Sequence, residues 1–503
     1  MPLPIARFRS LVAALLALLL AAGLVAAQPA PPDFTDERTL PAGPRGDRLR
    51  ELVEAVNAND PARIEAFAKH FTGEFAKIPV AEHVEQLGGI LGASQGFDVY
   101  GVRRYPSRPQ PDRDVLIVHN RLTEEWQAFV VVFDDSPQAR ISGIQFAPAR
   151  PPKDQPAAPP LTLDAAKADI DAFLDRLVEA EAFSGTVLIG RNGTVLYTAA
   201  RGVAERNDAV PVRLETKFNL GSMNKMFTAV TIASLVEDGT LRFDDPVSKY
   251  LGGKGWTKAD LSKVTIAHLL SHTSGLGSYF NDEYQRTARQ RLRRVDDYKP
   301  LVANDTLAFE PGTKWQYSNT GFLLAGAVIE AATGRDYFDV VRERVYRKAG
   351  MTGSDSYDID LVVPHLAIGY SRERGPEGPR WRANTFEHVI RGGPAGGGYS
   401  TVQDLFAFAE ALRAGRLVTA ASRERLWAPK PELQSPEYGF GFGTSMGPLG
   451  RVVGHSGGFP GISSVLDICT DTGWTIVVLS NTDRGAQPVQ RRIERALARV
   501  QGP

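Results

Sequence analysis

The chain has 503 residues, 43% of them hydrophobic and 23% charged, a composition that excludes a disordered, collagen-like or polytopic membrane protein and leaves room for about three domain-sized units. Lysine plus arginine (58) balance aspartate plus glutamate (58), so the net charge of zero gives no support for a nucleic-acid partner. The single cysteine, Cys469, permits no internal disulfide, and none of the histidines lies in an H-E-x-x-H, so neither a metal nor any other cofactor is expected.

The first element is a targeting segment. Arg7 and Arg9 precede an apolar run from Leu11 to Ala27 that ends in Val25-Ala26-Ala27. This pattern predicts a secretory signal peptide over 1–27, cleaved after Ala27, with export to the periplasm or medium and no membrane span left after cleavage. An uncleaved anchor is the alternative, but the run is shorter than the ~20 residues a spanning helix needs. Residues 28–45 are rich in Pro, Ala and Asp and read as a disordered linker.

Residues 46–147 read as a small α+β accessory domain. Leu49, Leu52, Val53 and Val56 recur at helical spacing, and Asn59-Asp60-Pro61 restarts a helical pattern that runs to Ala76. Four alternating runs then predict strands over Phe97–Tyr105, Asp114–Leu122, Trp126–Phe133 and Arg140–Phe146. Pro148, Pro151, Pro152, Pro156, Pro159 and Pro160 mark an extended linker over 148–162. Residues 163–500 form the second domain. A helix (Asp164–Glu181) leads into a hairpin, Thr186–Ile189 and Thr194–Tyr197, turned by Asn192-Gly193. Strands at Ile462–Ile468 and Trp474–Leu479 and a closing helix (Pro488–Val500) follow a mainly helical middle. Strands from both chain ends predict one sheet flanked by helices, with a helical lobe beside it and a cleft between them.

Ser222-Met223-Asn224-Lys225 opens a helix that continues through Met226, Phe227, Val230 and Leu235. The i,i+3 spacing puts Ser222 and Lys225 on one face, where a desolvated amine can activate a hydroxyl. Alone, this motif reads more readily as an N-cap serine and a solvated lysine. Two further segments bear on it: Tyr317-Ser318-Asn319, after the turn at Pro311-Gly312, and Gly454-His455-Ser456-Gly457-Gly458, between strand-like runs.

S-x-x-K, Y-x-N and H-x-G in this order resemble the serine β-lactamase and penicillin-binding-protein superfamily, in the version of class C β-lactamases, D-alanyl-D-alanine carboxypeptidases, D-aminopeptidases and related esterases. Ile266–Leu276, His365–Tyr370 and Gly396–Thr401 also look like segments of that family. The resemblance implies a two-lobe α/β fold with an antiparallel sheet, and an acyl-enzyme mechanism on a small amide or ester. It implies that Ser222 is the nucleophile and that Tyr317 is the general base, its phenolate favoured by Lys225. It further implies that Asn319, His455 and Gly457 bind substrate, and that the backbone N–H groups of Ser222 and Gly458 form the oxyanion hole. His455 stands where most β-lactamases carry lysine, and a mostly neutral imidazole would grip a β-lactam carboxylate less well. This departure favours a peptidase or esterase. The alternative function is a slowly deacylating sensor or binder of peptidoglycan fragments or β-lactams. The N-terminal helices and meander resemble a nuclear-transport-factor-like cone in pattern only, with an accessory role expected; a third possibility makes that domain the ligand binder. The oligomeric state is not readable.

Other motifs have plainer readings. Ser94 and Ser456 each sit in G-x-S-x-G, but neither is followed by the helix a nucleophile elbow needs. His268 and His272 are expected to order a loop, and Gly396–Gly398 to turn the chain into a helix capped by Ser400 or Thr401. Tyr279 and Phe280 read as loop aromatics at the cleft. Arg286, Arg289, Arg291, Arg293 and Arg294 read as a solvated helix face, and Cys469 as a small core residue.

Overall fold

The computed structural model describes residues 33–58, 60–92, 94–375 and 378–500, so the signal-peptide reading of residues 1–27 lies outside the described residues. The chain divides between Pro159 and Pro160 into two compact units. No helix among the described residues is long and apolar enough to cross a membrane.

In the first unit, strand β1 (Thr35–Glu37) precedes helices α1 (Pro44–Asn57), α2 (Pro61–Ala68) and α3 (Val80–Gly92). Strands β2 (Phe97–Arg104), β3 (Arg113–Asn120), β4 (Trp126–Phe133) and β5 (Ile141–Pro148) follow, and the five strands lie in chain order in one antiparallel sheet. The periodic residues Leu49, Leu52, Val53 and Val56 are all buried, and they pack with Phe67, Leu116, Phe129 and Val131. The helical pattern ends earlier than expected, at Ala68. The disorder expected over 28–45 is corrected for the described part of that segment. Thr35 pairs with Arg104, Phe34 is buried beneath the Arg103 guanidinium at 3.6 Å, and Arg103 bonds Asp36 at 2.8 Å. One aromatic and one carboxylate anchor a stretch whose average composition predicts none. The proline-rich segment is anchored as well, through Asp154, which accepts from the Tyr100 hydroxyl at 2.6 Å.

In the second unit, helix α4 (Leu163–Glu179) leads into β6 (Gly185–Arg191) and β7 (Thr194–Arg201). Asn192 (φ 49°) and Gly193 (φ 83°) make the left-handed turn between these two strands. The middle of the chain holds helices α5 (Asn224–Glu237), α6 (Asn319–Thr333) and α7 (Val402–Arg413), with shorter helices between. The chain then returns through β8 (Gly443–Gly447), β9 (Gly450–Phe459), β10 (Ile462–Cys469) and β11 (Trp474–Ser480) to helix α8 (Ala486–Leu497). The sheet is antiparallel with order β8-β9-β10-β11-β6-β7, so strands from both ends meet at β11–β6.

Both faces of this sheet are covered, which is why β11 is buried along its whole length. Leu466, Ile468, Val477 and Leu479 face the helical lobe. Val465, Ile476 and Val478 alternate with them and are equally buried on the side of α8. Helix α5 is buried all round from Asn224 to Leu235, the pattern of a central helix rather than an amphipathic one. Cys469 is fully buried, as read from its strand alternation. The segment Gly454–Gly458 is part of β9 itself.

Candidate active site

The site is built where the start of α5 faces β9. Ser222 lies in a single 3-10 turn (Gly221–Met223) that runs directly into α5. That turn is pinned from two sides. Gly221 has φ 51°, and a Cβ there would fall 2.9 Å from the Gly458 amide nitrogen, so only glycine lets the turn lie against β9. Leu220 donates to the Gly398 carbonyl at 2.7 Å, Gly397 donates to the Gly221 carbonyl at 3.1 Å, and Ser464 Oγ donates to the Leu220 carbonyl at 2.8 Å. The Gly396–Gly398 loop therefore clasps the Ser222 turn, a role beyond leading the chain into the Thr401-capped α7.

Lys225 is fully buried, one turn beyond Ser222. Its Nζ lies 3.1 Å from Ser222 Oγ, 2.9 Å from Asn319 Oδ1 and 2.5 Å from the Ala395 carbonyl oxygen. Burial pulls its pKa well below the ordinary lysine value, so the amine is biased toward its neutral form.

Tyr317 precedes the N-cap of α6, Ser318, whose Oγ accepts from Gly321 N at 2.8 Å, and Asn319 opens the helix. Asn319 Nδ2 donates to Ser278 Oγ at 3.1 Å, so its amide plane is fixed by partners on both sides. The Tyr317 ring lies 4.8 Å from Lys225 Nζ, and its hydroxyl is hydrogen-bonded with Ser222. Burial raises the Tyr317 pKa, and the bond with Ser222 only partly offsets this. Burial therefore works against the phenolate form expected of Tyr317.

The sheet supplies the other wall. The last β8–β9 pair is Gly443 with Gly454, so from His455 to Phe459 the edge of β9 facing away from β10 has no strand partner among the described residues. Phe459 and Ile462 flank a two-residue turn, which makes Gly458–Ser463 a wide pair and aims the Gly458 N–H out along this free edge. A Cβ on Gly457 would fall 1.9 Å from the Leu220 carbonyl oxygen, whereas one on Gly458 would meet nothing within 4 Å. Glycine is thus required at Gly457 for strand-to-turn contact, whereas Gly458, on the opposite face of the strand, is under no such steric constraint.

His455 points one ring nitrogen, Nδ1, at the Ser456 carbonyl and the other, Nε2, at the Tyr438 hydroxyl at 2.9 Å. Burial above all pulls its pKa down to about 3. Tyr438 and His272 are parts of the site that sequence reasoning missed or underrated. The His272 ring is fully buried, 4.3 Å from Tyr317 and 4.7 Å from Tyr438, and its Nδ1 accepts from Ser318 N at 3.0 Å. Its backbone is left-handed (φ 63°) and its carbonyl accepts from Gln316 N at 2.9 Å, so one residue brackets Tyr317 on both sides. His268 stays within its own helix start, where its Nδ1 accepts from Thr265 N.

Two other readings change. Tyr279 is buried against Tyr298 rather than exposed, and Phe280 packs 5.7 Å from Phe459. The arginine run is not one continuous helix face, although Arg286, Arg291 and Arg294 are exposed as expected. Arg289 lies over the Tyr284 ring and donates to the Glu387 carbonyl, and Arg293 pairs with Asp358 and Asp360. Among the described residues no group of three His, Cys, Asp or Glu side chains could hold a metal.

Residues 170–501 match the family model for Beta-lactamase. The chain belongs to that family. It is 32% identical over 340 residues to Penicillin-binding protein 4* of Bacillus subtilis (strain 168), covering 65% of this chain and 74% of that protein. It is 31% identical over 321 residues to Esterase EstB of Burkholderia gladioli, covering 56% and 80%. A penicillin-binding protein from Bacillus halodurans superposes with a TM-score of 0.58 at 30% identity, over 64% of this chain and 98% of that one. A D-stereospecific amidohydrolase from Streptomyces sp. gives 0.54 at 27%, over 66% and 98%. This Beta-lactamase-family chain is a serine hydrolase of the β-lactamase, esterase and amidase type.

Proposed function

We propose that the protein is an exported serine hydrolase that cleaves a small amide or ester, either a D-amino-acid peptide or a carboxylester, through an acyl-enzyme on Ser222. The observation that carries this reading is the 3.1 Å approach of the buried Lys225 amine to Ser222 Oγ, beside the Tyr317 hydroxyl and the free edge of β9. The neutral amine takes the Ser222 proton as Oγ attacks the substrate carbonyl. The N–H groups of Ser222 and Gly458 receive the developing oxyanion. The Tyr317 hydroxyl, protonated in the resting site, passes its proton to the leaving group and is reprotonated by Lys225. Water then enters by the reverse relay and releases the acid. Asn319 holds Lys225 and presents its remaining amide hydrogen to the substrate carbonyl. The neutral His455 leaves β9 without a fixed cation for a β-lactam carboxylate, which favours peptide or ester over β-lactam. The names of the esterase and the D-stereospecific amidohydrolase among its relatives fit the same substrate range.

Export rests on the 1–27 segment, with cleavage after Ala27. The first unit, with its cone-like order of helices and meander, is an accessory domain in this reading. The test is hydrolysis of a short-chain nitrophenyl ester by the purified protein beside Ser222→Ala. The expected result is turnover that falls by about a thousandfold or more in the variant. A variant with the full rate would overturn the mechanism. A stoichiometric burst without turnover, with an adduct on Ser222, would point to the slow sensor instead.

A further inference from the structure

His455 and Tyr438 form a closed pair at the wall of the cleft. A carbonyl oxygen can only accept, so the His455 nitrogen facing the Ser456 carbonyl, Nδ1, carries the hydrogen. In a neutral ring that leaves Nε2 as an acceptor, and the Tyr438 hydroxyl 2.9 Å away is its donor. Among the described residues the Tyr438 hydroxyl makes no other side-chain hydrogen bond, and the residue is 8% exposed. A proton added to Nε2 would turn the acceptor into a donor and leave the phenolic hydrogen facing it without an acceptor. The surroundings offer no remedy. Lys225 faces the pair from α5, His272 from the loop after the short helix Ile266–Leu270, and Tyr317 from the segment before α6, and no carboxylate acts on the His455 ring.

We infer that Tyr438 sets the charge selectivity of the cleft: by donating to His455 Nε2 it holds the imidazole neutral, so that the free edge of β9 takes acyl donors without a carboxylate beside the scissile bond in preference to those with one. This inference rests on the hydrolase reading above and names its substrate class. Tyr438 acts through His455 and is a positioning residue. Its ring packs 4.7 Å from His272 and 5.7 Å from His455, contacts that phenylalanine would keep.

The experiment compares two thioesters of one acylglycine. One leaves as thioglycolate, with a carboxylate beside the scissile bond, and the other as thioglycolamide, without it. The ratio of their kcat/KM values is followed from about pH 8 to about pH 5.5 in the wild type and Tyr438→Phe, across the range in which an unrestrained histidine titrates. The wild-type ratio should stay flat. In Tyr438→Phe it should rise about fivefold toward acid pH, in KM rather than kcat, as His455 gains a proton that meets the carboxylate. A flat ratio in both proteins, or a wild-type ratio that already rises, overturns the inference. Nitrogen NMR of the histidine rings gives a second readout independent of turnover: His455 should keep its Nδ1–H form at pH 5.5 in the wild type and titrate above it in the variant. Identical titration in the two proteins also overturns the inference. Failure of the wild type to hydrolyse either thioester counts against the hydrolase reading, and the ring titration still decides the role of Tyr438.

Discussion

Lys225 is an amine whose burial disfavours its charged form, and that has a thermodynamic signature apart from catalysis. Its pKa lies near ~10.4 in the unfolded chain and well below the ordinary value in the fold. Between those two values the unfolded chain binds the extra proton, so this residue costs stability at neutral pH, and the cost falls as pH rises toward the unfolded value. Lys225→Met removes the proton linkage, although it leaves the Ala395 carbonyl and Asn319 Oδ1 without their donor. The difference in Tm between wild type and Lys225→Met should therefore move in favour of wild type as pH is raised from about 6 to about 9. Thermal denaturation across that range checks it, and a difference independent of pH would mean that the amine is charged in the folded protein. At this scale the sequence was readable where chemistry has a fixed spacing. Ser222 and Lys225 share a helical face, and Tyr317 and Asn319 stand next to a turn signal. Tyr438 carries no such mark: it sits in an irregular stretch before β8, and its contact with His455 spans 17 residues of sequence. His272 was readable as a loop-ordering residue, but its place under Tyr317 depends on a left-handed backbone that no histidine advertises.

Strand β9 shows the same division one scale up. Its neighbours β10 and β11 read as strands because apolar residues fill both faces, whereas Gly454, Gly457 and Gly458 strip β9 of the alternation that strand reading relies on. Gly457 and Gly458 are under different constraints, and substitution separates them. In Gly457→Ala the methyl would lie 1.9 Å from the Leu220 carbonyl oxygen and 2.5 Å from Ser464 Oγ, so β9 and the Ser222 turn must part. That should cost about 1–3 kcal/mol of stability, and activity with it. In Gly458→Ala the methyl meets open space on the face of β9 opposite the Ser222 turn, so stability should stay within about 0.5 kcal/mol and ester turnover within about twofold of the wild type. Melting curves and ester kinetics on the pair decide it; equal loss of stability in both variants would mean that β9 and the turn do not meet as described.

For the whole molecule, what matters is which pairings hold each unit together. The second unit closes its sheet by joining β6, near its beginning, to β11, near its end, and Leu161 N donates to the Arg499 carbonyl at 2.8 Å. Such long-range pairing was readable in outline, since strand patterns stand at both ends of a helical stretch. The full order of six strands was not, because β8 and β9 are rich in glycine. The first unit draws on none of these pairings: its core of Leu52, Val56, Phe67, Leu116 and Phe129 is its own. A chain starting at Pro160 should therefore fold in one cooperative transition and hydrolyse the nitrophenyl ester within about twofold of the full protein. A chain stopped before α8 should not fold, because Val489 and Ile493 cover the β10–β11 face and burying each of them is worth about 1.5–3 kcal/mol. Calorimetry and ester kinetics on the two truncations test this. A folded but inactive chain from Pro160 would show that the first unit contributes to the chemistry and is more than an accessory.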